Sequence, residues 1–178
     1  MNYLNLLKKG RYFIYLAILL NLLNYSFKNK FLINLTASIP RGIYLTSKDK
    51  ELKIGDIVAF NTQNYKIILD YRNSQETFLF CKRIVGKEGS EIKVIGNELF
   101  IDNNKISEIL FLNKNNEKLP QVEEFKEGYS LKENEFFLLG DTENSFDSRY
   151  YGPVKKEDII YKLTPFLVEG GEHEKKKK

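Results

Sequence analysis

Short apolar runs separated by glycine- and asparagine-containing turns restrict most strongly how this chain can fold. Within the third run, Gly96-Asn97 divides two apolar halves, which is a strong hairpin signal. No helical pattern separates the runs, so the sequence predicts a mainly β domain, either an antiparallel sheet or a partly closed barrel. The runs are Asp56–Phe60, Thr77–Val85, Ile92–Ile101, Glu135–Leu139 and Asp158–Leu163.

The domain is expected to span residues 31–168, preceded by a membrane anchor over 1–30. Residues 107–133 are polar and rich in Asn, Glu and Lys, and we interpret them as an insertion or flap. Residues 169–178 form a charged tail that we expect to be disordered.

The anchor prediction depends on an apolar run of sixteen residues, Tyr12–Phe27, with basic residues on both sides. A bilayer span needs roughly 20 residues, but flanking Lys and Arg side chains can extend a shorter one. Basic residues before the run favour one transmembrane helix with a cytoplasmic N-terminus. A cleaved signal peptide is less favoured because no A-x-A-like site follows, and a buried core helix is the third alternative. An anchored chain would hold Ser38 close to membrane lipid.

Composition excludes several kinds of site. The 178 residues include one Cys and one His, so neither an intrachain disulfide nor a His/Cys metal cluster is expected. His173 lies in the tail, which leaves Lys, Asp, Glu or Tyr as the base of any hydrolase. The net charge of +4 equals the charge of Lys175–Lys178, so nothing indicates nucleic-acid binding. We expect no cofactor.

The first candidate site residue is Ser38, in the stretch Asn34–Tyr44. Pro40 and Gly42 follow it and favour an extended, irregular backbone. A serine in such a stretch can face a cleft with its N–H free to bind an oxyanion. The alternative is an ordinary surface turn.

The second candidate is Lys82. Because side chains alternate along a strand, Lys82 shares a face with Phe78 and Phe80, while Cys81 and Arg83 point the other way. Burial beside aromatic rings would lower the pKa of the lysine from about 10.4 and make it a base. The alternative is an edge-strand lysine in water. We expect Cys81 to be a core residue and Arg83 an exposed charge.

The third candidate group lies in Gly140–Gly152. Ser145, Asp147 and Arg149 alternate, so in an extended chain they would face one way, with a buried Asp–Arg ion pair. Such a group suits a shell that holds a catalytic lysine. The alternative is a polar loop with exposed charges.

Together these segments resemble type I signal peptidases, the membrane-anchored Ser/Lys endopeptidases, over roughly residues 12–163. The serine segment is most similar to that of conjugative-transfer signal peptidases of the TraF type. Ile39 stands where Met is usual, and the distal segment is one residue shorter than in housekeeping signal peptidases. The matching residues are Asn34, Thr36, Ser38, Pro40, Gly42 and Tyr44, then Lys82–Gly86 with Gly89, then Gly140-Asp141 and Asn144–Gly152.

The resemblance implies a signal-peptidase/LexA-like fold and a role for each residue. Ser38 would be the nucleophile and Lys82 its base, with the Ser38 N–H and the Thr36 hydroxyl binding the oxyanion. Ser145 would hydrogen-bond Lys82, and an Asp147–Arg149 pair would fix the distal loop. Structural positions of the motifs would be Pro40, Gly42, Gly86, Gly140 and Asp141.

The resemblance also implies a bacterial inner-membrane location, single-pass, with the catalytic domain on the periplasmic or extracytoplasmic side. The expected partner is an exported precursor, of a conjugative pilin-like kind, which is cleaved and in some relatives cyclised. Alternatives are a general signal peptidase, a LexA-like self-cleaving regulator and an inactive membrane-tethered peptide-binding scaffold. No DNA-binding module precedes the serine, which disfavours the regulator. The sequence does not indicate an oligomeric state.

Overall fold

The computed structural model describes residues 30–170 and Tyr15. Apart from Tyr15, the predicted membrane helix lies outside this part of the chain, as do residues 171–178. Among the described residues, no helix has the length and apolar character needed to cross a bilayer. The compact unit that carries the candidate residues begins at Leu32.

Two sheets make up this unit. Seven strands form the large sheet in the order β1-β2-β11-β3-β4-β9-β10, and four form the small sheet in the order β7-β6-β5-β8. The large-sheet strands are β1 (Phe31–Asn34), β2 (Gly42–Ser47), β3 (Ile57–Asn61), β4 (Leu79–Gly86), β9 (Glu135–Leu139), β10 (Val154–Lys155) and β11 (Ile159–Val168). The small-sheet strands are β5 (Glu91–Ile95), β6 (Glu98–Ile101), β7 (Asn104–Glu108) and β8 (Tyr129–Ser130). Three short α-helices, α1 (Lys66–Tyr71), α2 (Glu124–Glu127) and α3 (Ser148–Tyr151), and one 3₁₀ turn, Lys156–Asp158, complete the unit.

The predicted antiparallel, mainly β architecture is confirmed. The pairings of β3 with β4 and of β4 with β9 are antiparallel, and Gly96, with φ 64°, forms the turn between β5 and β6. In the described part of the chain the large sheet stays open, with β1 and β10 at its edges. Of the two predicted alternatives, the open sheet is therefore correct.

Helix α1 was not predicted, and its N-cap residue, Tyr65, is not of a type that favours helix starts. Its first turn lacks a side-chain cap, and of its residues only Ile68 is buried. Isolated helices this short are unstable, so tertiary packing of Ile68 sustains the helix. The expectation that no helix separates the strands is wrong here.

The segment 107–133, predicted as an insertion or flap, packs on the core at several points. It contains the end of β7, all of α2 and all of β8. Its buried apolar residues are Ile109, Leu119, Phe125 and Leu131.

Apolar residues cover both faces of the large sheet near β3 and β4. Val58 and Phe60 belong to the cluster that also includes residues of the small sheet, whereas Ala59 and Cys81 belong to a second cluster on the other face. This explains why Ile57–Phe60 is continuously apolar, since a strand covered on both faces has no solvent side. Strand β4 is therefore buried on both faces at Cys81 and Lys82 and can hold a side chain away from water there.

Candidate active site

A loop between β1 and β2 carries Ser38, and Asn34 shapes that loop. The Asn34 side chain is buried, and its Nδ2 donates to the carbonyl oxygens of Thr36 at 2.8 Å and Ile39 at 3.0 Å. Its Oδ1 accepts from the Thr36 hydroxyl at 2.8 Å. One amide thus ties down a turn that lacks regular structure. Asn34 belongs to the serine motif, but this role in shaping the loop was not predicted from the sequence.

Further contacts fix both sides of Ser38. Buried Ile39 anchors the loop in the second apolar cluster, and the Tyr44 hydroxyl donates to the Pro40 carbonyl oxygen at 2.6 Å. On the other side, the Asp141 N–H donates to the Ser38 carbonyl oxygen at 2.6 Å. Ser38 itself is half-buried. It therefore occupies a rigid loop rather than an ordinary surface turn.

Gly42 allows the loop to enter β2. Its φ of 141° is rarely adopted by other residues, and a Cβ there would overlap the Leu167 carbonyl oxygen in β11. The predicted need for glycine after Pro40 thus has a steric reason, the close approach of β2 and β11.

Lys82 is fully buried at the centre of the large sheet, with 0% of its surface exposed. Its register partner is Val58, and β4 lies between β3 and β9, so the edge-strand alternative is wrong. Its Nζ lies 4.3 Å from the Phe80 ring centroid, as the predicted alternation required. Among the described residues, Nζ has no hydrogen-bond partner.

The environment of Lys82 favours its neutral form. Burial lowers the pKa of the ammonium group from 10.5 to about 8, while the Asp147 carboxylate acts in the opposite direction. A larger fraction of Lys82 than of an ordinary lysine is consequently uncharged near neutral pH, and the neutral amine is the form that a general base requires. Neighbouring Cys81 is a buried core residue, and burial raises the pKa of its thiol to about 11.

Asp147 and Arg149 form the buried ion pair that the sequence predicted. Arg149 Nε donates to Asp147 Oδ1 at 2.8 Å, with 2% and 0% of the two side chains exposed. The predicted extended backbone is present at Asp147, which caps the N-terminus of α3, but it is wrong for Arg149, which lies within that helix. Asp147 also accepts from the Gly140 N–H at 3.0 Å, so it links the two ends of the distal loop.

Ser145 contacts Ser38 rather than Lys82. Its buried Oγ lies 3.5 Å from Ser38 Oγ, and the expected hydrogen bond to Lys82 is not formed. The absence of a side chain at Gly140 permits this approach, since a Cβ there would collide with Ser145 and lie 2.9 Å from the Ser38 carbonyl oxygen.

Arg83 is not the isolated exposed charge that we expected. Its guanidinium binds both Asp141 carboxylate oxygens, at 2.8 and 2.7 Å, and donates to the Gly55 carbonyl oxygen at 3.0 Å. The pair joins the lysine strand to the residue that binds the Ser38 carbonyl. Sequence spacing could not reveal it, because 58 positions separate the partners.

Gly86, the glycine of the lysine motif, ends β4 beside a register shift in its pairing with β9. A Cβ there would lie 3.1 Å from Leu131 Cδ1 and 3.2 Å from Phe137 Cβ. Close packing therefore favours glycine at this position.

A cleft of about 310 Å³ lies beside Ser38. Ser38, Ser145 and Phe80 line it. Lys82 is not among the lining residues, but its amine contacts the same Phe80 ring. Thr36 also lines the cleft, although its hydroxyl donates to Asn34. Other lining residues, among them Tyr71, Arg72 and Lys114, were not predicted from the sequence. Within the described part of the chain, no cluster of His, Cys, Asp and Glu suits a metal ion.

The chain is similar in sequence to known peptidases. The family described as "Signal peptidase, peptidase S26" matches residues 6–167. The plasmid transfer protein TraF of Escherichia coli is 26% identical over 150 residues, which cover 76% of this chain and 82% of that protein. Signal peptidase I T of Bacillus subtilis is 29% identical over 122 residues, covering 66% of this chain and 57% of that protein.

A solved signal peptidase I structure from Enterococcus faecalis is 28% identical, with a TM-score of 0.40. The alignment covers 64% of this chain and 97% of that chain.

Proposed function

Because this chain belongs to the peptidase S26 family of signal peptidases, we propose that Ser38 is its nucleophile and Lys82 its general base. Family membership makes the chain a serine endopeptidase of the signal-peptidase type. The observation that carries the residue assignment is the fully buried, unpaired Lys82 amine, which contacts a ring lining the Ser38 cleft.

The proposed reaction proceeds in two steps. Neutral Lys82 takes the proton from Ser38 Oγ, which attacks the scissile carbonyl carbon. As the C–N bond breaks, Lys82 returns the proton to the leaving amine and an acyl-enzyme remains. A water or an amine then attacks the ester, loses its proton to Lys82, and Ser38 regains a proton as the ester bond breaks.

The Ser38 backbone N–H is the first candidate for the oxyanion donor. Among the described residues, nothing accepts a hydrogen bond from it. The Thr36 hydroxyl is committed to Asn34 in this structure and would have to rotate before it could contribute. A single oxyanion donor is worth about 3 to 4 kcal/mol in the transition state.

The proposed substrate is an exported precursor of the pilin-like kind. This rests on the similarity to the plasmid transfer protein TraF, which spans most of both chains. The chain would act from the bacterial inner membrane, held by one N-terminal helix, with the catalytic domain outside the cytoplasm. The signal peptidases I of Bacillus subtilis support a second candidate, removal of signal peptides from many secreted proteins.

Mass spectrometry of a pilin-like precursor co-expressed with the full chain tests this proposal. We expect Ser38-dependent conversion to a shorter product. A hydrolysed product retains the mass of one added water, whereas a ring closed by attack of the precursor's own amino terminus lacks it. Only unprocessed precursor is expected with Ser38→Ala. Equal processing by the wild type and this variant would contradict the proposal, and no processing by either would favour the inactive scaffold.

Activity should rise with pH through about 8. Because burial lowers the pKa of Lys82 to about 8, protonation removes the base below that value. We therefore expect kcat/KM to fall about tenfold per pH unit well below the pKa. Peptide cleavage measured from about pH 5 to about pH 9 checks this, with Lys93→Gln as a surface control. If kcat/KM did not fall as the pH was lowered below about 8, Lys82 would be excluded as the base.

A further inference from the structure

The lining of the Ser38 cleft carries two positive charges. Arg72 follows α1 and Lys114 lies in the loop after β7, and both side chains line the cleft. None of the residues lining this cleft is an Asp or a Glu. The Ser38 cleft, in which a peptide would bind, therefore has a positively charged lining among the described residues.

Both cations are without an acidic partner among the described residues. Arg83 and Arg149, by contrast, pair with Asp141 and Asp147. Arg72 lies over the Phe78 ring, with 5.9 Å between the guanidinium carbon and the ring centroid, which restricts its position without forming an ion pair.

The loop that carries Lys114 is ordered by its own hydrogen bonds. Asn113 Oδ1 accepts from the N–H groups of Asn115 at 2.9 Å and Glu117 at 3.0 Å. The Glu117 carboxylate accepts from Asn113 Nδ2 at 2.7 Å and lines an adjoining cavity, which Arg72 also lines, but not the Ser38 cleft. This carboxylate therefore lies outside the cleft in which a peptide would bind.

We infer that Arg72 and Lys114 select a precursor with an acidic side chain close to the cleaved bond. This inference rests on the proposed function. Positive side chains along a concave wall attract a carboxylate and repel a basic residue. Because both groups remain in contact with solvent, each is worth about a threefold to fivefold preference.

A peptide series measures this preference directly. One cleavable precursor peptide is varied to Glu, Gln or Lys, one position at a time, across the residues flanking the cleaved bond. At one or more positions we expect kcat/KM to fall in the order Glu, Gln, Lys, with a Glu-to-Gln ratio of about tenfold at low ionic strength. The ratio should shrink as salt is added.

The double variant Arg72→Gln/Lys114→Gln is expected to bring this ratio close to one, and Arg72→Lys should largely retain it. Lys87→Gln/Lys93→Gln removes two exposed lysines outside the cleft and serves as the charge-matched control. The ratio is the proper readout because Arg72 also lowers the pKa of Lys82, so its loss changes absolute rates.

The possible results separate two failures. Ser38-dependent cleavage with a ratio of one in the wild type, or with an unchanged ratio in the double variant, would overturn this inference and leave the proposed function standing. Absence of Ser38-dependent cleavage for every peptide would overturn the proposed function, and this inference with it.

Discussion

Replacing Lys82 by Met is expected to abolish cleavage and, at the same time, to raise the melting temperature of the protein. Loss of a general base that activates a serine costs on the order of 1000-fold or more in kcat. Met has a similar length and no charge, and the site around Nζ offers no hydrogen bond to lose. The lysine is therefore kept for chemistry at the expense of stability.

The stability gain follows from the pKa of Lys82. The folded-state pKa of about 8 lies below the ordinary value of 10.5, so the unfolded chain holds the proton more tightly. Above about pH 10.5 the lysine is neutral in both the folded and the unfolded state, and it costs no folding free energy. As the pH falls from about 10.5 to about 8, the unfolded state gains the proton first, and the folded state loses stability. At neutral pH the penalty is roughly 3 kcal/mol, and Met removes it.

Thermal unfolding of the full chain and peptide cleavage measure both effects in one pair of samples. We expect the melting temperatures of Lys82→Met and the wild type to converge as the pH approaches about 10. Cys81→Ser is the matched control, because it changes the adjacent side chain on the opposite face and should retain cleavage. An active Lys82→Met variant would refute the base assignment.

The sequence predicted the lysine face because that face depends only on local alternation. Once Thr77–Val85 is identified as a strand, Phe80 and Lys82 must share a side, and the structure places the Lys82 amine against the Phe80 ring. The hairpin at Gly96-Asn97 could be predicted for the same reason, because its two strands are neighbours in the chain. Such features follow from neighbours in the chain.

Features that depend on distant contacts were missed. The Arg83–Asp141 pair joins two motifs that no spacing rule connects, and α1 persists because Ile68 is buried by tertiary packing. The cationic wall of Arg72 and Lys114 brings together a helix end and a loop that each look unremarkable in sequence. Ser145 also contacts Ser38 instead of Lys82, which only the conformation of the distal loop decides.

Replacing Asp147 by Ala is expected to destabilise the protein by about 3 to 5 kcal/mol, because it leaves the Arg149 charge buried without its partner. Arg149 is 2% exposed, and the Gly140 N–H would lose its acceptor as well. For a chain of this size, the change corresponds to a loss of about 10 °C in melting temperature. The double variant Asp147→Ala/Arg149→Met should recover part of this loss, since it removes the unpaired charge.

Asp141→Ala is the natural comparison, since it breaks a second Asp–Arg pair in the same segment. About a third of each of those side chains is exposed, at 31% and 33%, so we expect a cost of at most about 1 kcal/mol.

The Asp147→Ala and Asp141→Ala variants should also differ in the pH profile of their activity. The Asp147 carboxylate raises the pKa of Lys82, so its removal should move the acid limb of the remaining activity to lower pH. Equal losses of stability and identical pH profiles for the two variants would show that the buried pair has no special role beside Lys82.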